Sequence, residues 1–154
     1  MFWRVFIFIN FKMKFVADLH IHSKYSRATS KEMNLESLDQ WAKIKGIKVL
    51  ATGDFTHPAW FQEIKTKLEE AEPGLYKLKG SETGTRFLLS VEISSIYSQG
   101  GKTRRVHNLI LAPSMEVAEK INIALSWQGN IKSDGRPILG ISSMDLAKLV
   151  FGIS

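Results

Sequence analysis

Phe15-Val16-Ala17-Asp18-Leu19-His20-Ile21-His22-Ser23 is the stretch whose reading decides the fold. Its apolar first half predicts a buried strand, and the strand runs out into alternating histidines. A polar loop follows from Lys24 to Met33. Asn34 then suits the cap of a helix whose apolar positions Leu35, Leu38 and Ala42 fall three and four apart, with Trp41 beside them. Lys43 and Lys45 occupy its last turn, and Gly46 ends it. Ile47 to Thr52 predicts a second short buried strand, and Gly53 to His57 a loop. Pro58 opens a second helix that runs to about Glu70, with Pro73-Gly74 closing the unit. Strand, helix, strand, helix at this spacing predicts parallel βαβ units. Arg86–Ile93 predicts a third strand and Val106–Leu111 a fourth, with Gly100-Gly101 turning between them. Helices are expected over about 115–125 and 144–151, separated by a turn at Ser133 to Pro137. Trp41, Trp60 and Phe61 read as core.

The chain has only four histidines: His20, His22, His57 and His107. Each falls at a strand end, in the loop after one, or on a short strand near a carboxylate. In a parallel α/β arrangement, the carboxyl ends of successive strands converge on one face, where sites are built. Two residues apart in extended backbone, His20 and His22 point the same way. Asp54 and His57 occupy the equivalent place one βα unit later, and Glu92 ends the third strand. A hairpin at Gly100-Gly101 would return His107 beside Glu92. Any one of these histidines alone has a simpler reading, as an exposed or hydrogen-bonded residue. Their convergence, with carboxylates on the same units, argues for metal ligands.

The 154 residues contain no cysteine, which excludes a disulfide scaffold, a thiolate zinc finger, an iron–sulfur cluster and a cysteine nucleophile. A metal here must be held by His, Asp and Glu. Imidazole mixed with carboxylate suits zinc first, with manganese, magnesium or iron as alternatives, and points to hydrolytic chemistry. The six candidates His20, His22, Asp54, His57, Glu92 and His107 exceed one tetrahedral shell, so two or three divalent ions are expected. There are 21 basic against 15 acidic residues, a net charge of +6, which favours a polyanionic partner such as DNA. No apolar stretch approaches the roughly 20 residues of a membrane span, and the expected compartment is the cytoplasm. Residues 1–12 (MFWRVFIFINFK) lack the plan of a secretory signal and are expected to be an extension outside the fold.

Asp18 to Ser23 (DLHIHS), Thr52 to His57 (TGDFTH), Val91-Glu92 and His107 together resemble the first three metal motifs of the PHP (polymerase and histidinol phosphatase) superfamily. Within it, longer strings resemble the endonuclease Q enzymes. These are Ser23 to Ser30 (SKYSRATS), Trp41 to Gly46 (WAKIKG), Gly53 to Pro58 (GDFTHP), Gln99 to His107 (QGGKTRRVH) and Ser133 to Gly140 (SDGRPILG). The resemblance implies an α/β fold of the (β/α)7 barrel type, a cluster of divalent ions and DNA phosphodiester cleavage. Enzymes of that kind nick on the 5′ side of deaminated bases or abasic sites. The family pattern continues with a further His, another acidic residue and a D-x-H motif, whereas no histidine follows His107 here. Residues 13–154 are therefore expected to be the amino-terminal part of a PHP domain, a partial barrel truncated on its carboxy-terminal side and weakly active or inactive alone. Two alternatives accompany this reading: a PHP phosphatase acting on a small phosphate monoester, and a non-catalytic remnant that binds metal or nucleic acid.

Lys102, Arg104 and Arg105 form a compact basic tip, which could hold DNA phosphates near the ions or simply be solvated. Gly100-Gly101-Lys102-Thr103 is no P-loop, because Ile96 stands where that motif needs its first glycine. Lys24 and Arg27, in the loop after H-x-H, have the same two readings as the basic tip. Tyr25 could stack on an extruded base or pack internally. Asp18 is expected to orient a ligand imidazole, or else to serve as a strand-end turn carboxylate.

Overall fold

In the computed structural model, residues 14–153 are described, so the extension expected over residues 1–12 lies outside them. The elements run β1 (Val16–Asp18), α1 (Leu35–Lys45), β2 (Ile47–Ala51), α2 (Pro58–Lys67), β3 (Leu68–Glu72) and β4 (Leu75–Leu78). They continue with β5 (Arg86–Gln99), β6 (Lys102–Ala112), α3 (Met115–Ser126), β7 (Ile138–Leu139) and α4 (Ser143–Phe151). Strand order is β1-β2-β5-β4-β3, with β6 and β7 also pairing with β5. The first three of these are parallel, as the βαβ reading requires. The fold is mixed α/β, and among the described residues its sheet is not closed.

Local chemistry explains most boundaries. The Asn34 side chain accepts the Ser37 amide at 2.9 Å, and α1 stops at Gly46 in the left-handed conformation. Its Leu35, Leu38 and Ala42 are buried, but Trp41 is 58% exposed. Trp41 belongs to the outward side of α1 and lines an open apolar groove with Met33 and Ile47 instead of joining the core. Trp60 and Phe61 are buried as expected, and the Trp60 indole donates to the carbonyls of Thr52 and Gly53. That bond joins α2 to the end of β2, where the site begins. The core is filled chiefly by Trp60, Phe55, Phe87, Leu89, Val91, Ile93, Ile121 and Leu125, each with essentially no exposure.

Four expectations are corrected. First, β1 is not buried: Phe15 and Val16 are more than half exposed, because among the described residues β1 is an edge strand paired only with β2. Second, α2 stops at Lys67, not near Glu70. Leu68–Glu72 instead pairs antiparallel with β4 across the Pro73-Gly74 turn, although its glutamates favour helix. Glu69 pairs with Lys77 at 3.2 Å, Glu72 accepts from Arg86 Nε and Nη2, and Leu68 is buried. Third, the β5–β6 hairpin is far longer than the two short strands expected, pairing Leu89↔Ala112 through Gln99↔Lys102. Gly100 and Gly101 both have positive φ, which a two-residue hairpin turn requires. Fourth, the short strand β7 was not anticipated; it lies parallel to β5 at Ser94 and Ser95. Among the described residues, no helix is long and apolar enough to cross a membrane.

Candidate metal centre

The parallel strands deliver their carboxyl ends to one place. His20 and His22 follow β1 and Asp54 follows β2, whereas Glu92, expected to end its strand, lies halfway along β5, which runs on to Gln99. Close approach of the first two segments depends on Gly53. Its φ is +64°, and a Cβ there would fall 2.5 Å from the Ile21 carbonyl oxygen. Asp54, next along, is itself in the left-handed region at φ 52°. Aspartate tolerates that conformation better than most residues, and here its carboxylate anchors the turn.

Asp54 is completely buried and fully occupied. Oδ2 accepts the Ser23 amide at 2.6 Å, the Ser23 hydroxyl at 2.7 Å and the Ser26 hydroxyl at 3.0 Å. Oδ1 accepts from His22 Nδ1 at 2.9 Å. With the Nδ1 proton given to Asp54, the His22 Nε2 lone pair faces the other way, toward Glu92 Oε2 at 2.9 Å. His20 Nε2 lies 3.1 Å from that same Glu92 oxygen, and His107 Nδ1 meets Oε1. One buried carboxylate is thus shared by three imidazoles. Ligand atoms of His20, His22 and Glu92 lie within 4.8 Å of one another and could hold a metal ion. Convergent nitrogen and oxygen lone pairs without sulfur are the donor set a divalent cation takes, and Asp54 behind His22 is the carboxylate–histidine support typical of such sites.

The electrostatics follow from these contacts. The hydrogen bond to Asp54 raises the His22 pKa; burial opposes it, the Asp54 and Glu92 charges add to it, and Arg136 subtracts. Burial pulls the Glu92 carboxyl upward, but the His20 hydrogen bond and the charges of His107, His20 and His22 outweigh it. Glu92 is held below its ordinary value. Burial lowers His57, against the pull of Asp54 and Asp134.

The remaining candidates separate by geometry: of the six expected ligands, Asp54 and His107 also lie outside the three-residue group, Asp54 as the partner of His22 and His107 beside the second Glu92 oxygen. His57 caps α2 and stacks on Tyr25 with ring centroids 4.3 Å apart, outside the three-residue group. Among the described residues its buried Nδ1 has no partner. Asp18 accepts the His20 amide at 3.3 Å, as a strand-end turn carboxylate does, and the carboxylate hydrogen-bonded to His22 is Asp54. Tyr25 packs internally: besides its stack on His57, its hydroxyl donates to Glu63 at 2.8 Å. Lys24 is paired with the same Glu63 at 2.9 Å. Arg27 is exposed and 3.3 Å from Asp134. Register sorts the basic tip. Arg105 pairs with Ile96 on the face shared by Glu92, Ser94 and His107, whereas Arg104 and Lys102 pair with Tyr97 and Gln99 on the opposite face.

Ser23, Ser26, Gly135 and Arg136 carry the site without having been singled out by sequence. Gly135 sits so tightly on the Asp54 pocket that a Cβ would fall 2.3 Å from Asp54 Oδ2 and 2.5 Å from Ser26 Oγ. The strings SKYSRATS and SDGRPILG held all four, but only their meeting in space gives them roles.

A mixed α/β fold with a histidine–glutamate group that could hold a divalent ion, where β1 ends beside the middle of β5, defines the class. Within it, the chain is similar to two solved structures of endonuclease Q. One is a lesion-specific endonuclease from Pyrococcus furiosus, and the other is endonuclease Q in complex with a 27-mer duplex bearing an abasic lesion at the active site. Each has a TM-score of 0.75 and 30% identity, covering 89% of this chain and 32% of the other. An uncharacterized protein of Methanocaldococcus jannaschii is 35% identical over 134 residues, which is 86% of this chain and 14% of that protein. The chain therefore spans about a third of the endonuclease Q chains and about a seventh of that relative. No family model matches it.

Proposed function

We propose that this chain carries part of the catalytic centre of a metal-dependent DNA repair endonuclease of the endonuclease Q type, cleaving 5′ of deaminated bases or abasic sites. In this reading residues 13–154 are the amino-terminal part of a PHP domain, and the open sheet is an arc of a (β/α)7-type barrel. The observation that carries it is the Glu92 carboxylate placed between His20, His22 and His107. A divalent ion bound there, zinc first among the candidates, supplies positive charge to a phosphodiester and makes water more acidic near neutral pH. The chain's own residues do the rest. His20, His22, Glu92 and His107 are the donors, and Asp54 fixes the His22 tautomer. His57 stands by as a donor to a further ion. The +6 charge and the basic β6 favour a polymeric anion over a small monoester. Arg105, on the metal face, is the tip residue best placed to meet a phosphate.

The test is to load the chain with zinc or manganese and present a duplex containing one abasic site beside an undamaged control. Metal uptake that requires Glu92, with salt-sensitive binding that prefers the lesion, is the expected result. Hydrolysis of p-nitrophenyl phosphate without DNA binding would turn the assignment to a phosphatase. Failure to take up any divalent ion would overturn both.

A further inference from the structure

We propose that Arg136 is a phosphate-seating residue of this centre, holding a phosphodiester oxygen of a DNA strand beside the Glu92 group; this rests on the nuclease reading above. Arg136 lies two residues before Ile138, which pairs with Ser94 on β5, so the loop brings it level with Glu92, two residues before Ser94. Its Nη1 is 3.8 Å from Glu92 Oε2, beyond hydrogen-bond distance. That oxygen already meets His20 and His22, and the Arg136 side chain is 43% exposed. Arg86 shows the opposite condition in the same protein: both ends of its fork are closed on Glu72, at 2.6 and 2.9 Å. The Arg136 fork is open.

The backbone beneath it is held on every side. The Arg136 amide donates to Asp134 Oδ1 at 3.0 Å, the Gly135 amide to the Tyr25 carbonyl at 3.1 Å, and the Ser94 amide to the Pro137 carbonyl at 3.0 Å. Gly135 is pressed against Asp54 with no room for a Cβ. The side chain therefore springs from a fixed point between the Asp54 pocket and β5. It opens onto a cleft lined by Arg27, Asn130, Ser133, Asp134 and Ile138. A planar fork on a rigid base beside a metal-binding carboxylate is suited to two oxygens of a phosphate, a geometry lysine does not reproduce.

A merely charge-balancing role opposite Glu92 predicts different numbers. The experiment uses the full zinc-loaded chain and a fluorescent duplex with one abasic site, with anisotropy titrations from 50 to 200 mM salt and zinc content measured in parallel. For Arg136→Ala, a phosphate contact predicts a log–log salt slope lowered by about one, with zinc content unchanged. An unchanged slope would overturn the proposal and leave Arg136 as a counter-charge. Arg136→Lys keeps the charge beside Glu92, so it carries the test if the alanine variant loses zinc. A seating fork predicts binding weakened roughly five- to tenfold, while a counter-charge predicts no loss. A wild-type chain that takes up zinc yet shows no salt-dependent DNA binding would sink the nuclease reading itself, and this proposal with it.

Discussion

Asp54 and Glu92 are both buried carboxylates touching the same imidazole, yet they do opposite things. Asp54 lies on the Nδ1 side of His22, where two serine hydroxyls and a backbone amide complete its hydrogen bonding. Glu92 lies on the Nε2 side, where its neighbours are three imidazoles and a distant guanidinium. The first pocket is saturated with donors on short tethers; the second gathers three imidazoles that each offer a lone pair when neutral. Burial and charge are alike, so the surroundings leave Asp54 as a hydrogen-bonded support of His22 and Glu92 among the donors that could hold an ion.

The largest expected effect breaks that support. Asp54→Ala leaves the Ser23 amide, two hydroxyls and His22 Nδ1 without their acceptor, and should cost about 3–5 kcal/mol in urea unfolding. Glu92→Gln should do the reverse. It keeps the volume but gives up the attraction that holds this carboxyl below its ordinary value, so its stability cost should stay well below that of Asp54→Ala. Metal affinity, read by competition with a chelator, should fall by at least roughly 100-fold, beyond the loss from a supporting residue alone. If Glu92→Gln retained its ion while Asp54→Ala lost it in a folded state, the two roles would have to be exchanged.

The same contrast of faces sharpens on the hairpin. Arg105→Ala, on the face of Glu92 and His107, should lower the salt slope of DNA binding by about one. Arg104→Ala, on the opposite face, should leave the slope nearly unchanged. Equal effects from both would mean that the tip meets phosphates as a flexible cationic knob, not as a registered strand.

What the sequence disclosed follows from how local each signal is. The alternation of His20 and His22 and the capped α1 are written in consecutive residues, and the turn at Gly100-Gly101 predicts the return of His107 to Glu92. The glutamates of β3 read as helix because their pairing with Lys77 and Arg86 is set by tertiary contacts. A two-residue strand such as β7 has no periodicity to find. Tyr25 was ambiguous because a ring that stacks on a base and one that stacks on His57 look alike until the fold is known. Gly135 lies some eighty residues from the Asp54 pocket it covers, Arg136 more than forty from Glu92, and no spacing rule connects them. The meeting of His20, His22 and Glu92 was legible from local pattern; the residues packed behind them were not.

A third carboxylate gives the smallest test, because Glu63 lies between the two extremes. Its side chain is 20% exposed, and it holds Lys24 at 2.9 Å and the Tyr25 hydroxyl at 2.8 Å. Burial pushes its pKa up, but the hydrogen bonds from Lys24 and Tyr25 and the charges of Lys24 and Lys67 hold it below its ordinary 4.5. A depressed folded value means that the ionised group stabilises the fold above pH 4.5 and that this contribution fades as pH falls through the folded pKa. Glu63→Gln should therefore cost about 0.5–1 kcal/mol at pH 7, a partly screened interaction. The difference from wild type should close toward zero below pH 4.5, with metal affinity at pH 7 unchanged. A cost that persisted undiminished to pH 3 would show that the neutral hydrogen bond to Tyr25, and not the charge, holds the H-x-H loop. Exposure would then fail to explain why this carboxylate is weaker than Asp54, and the number of donors around each would be the quantity that matters.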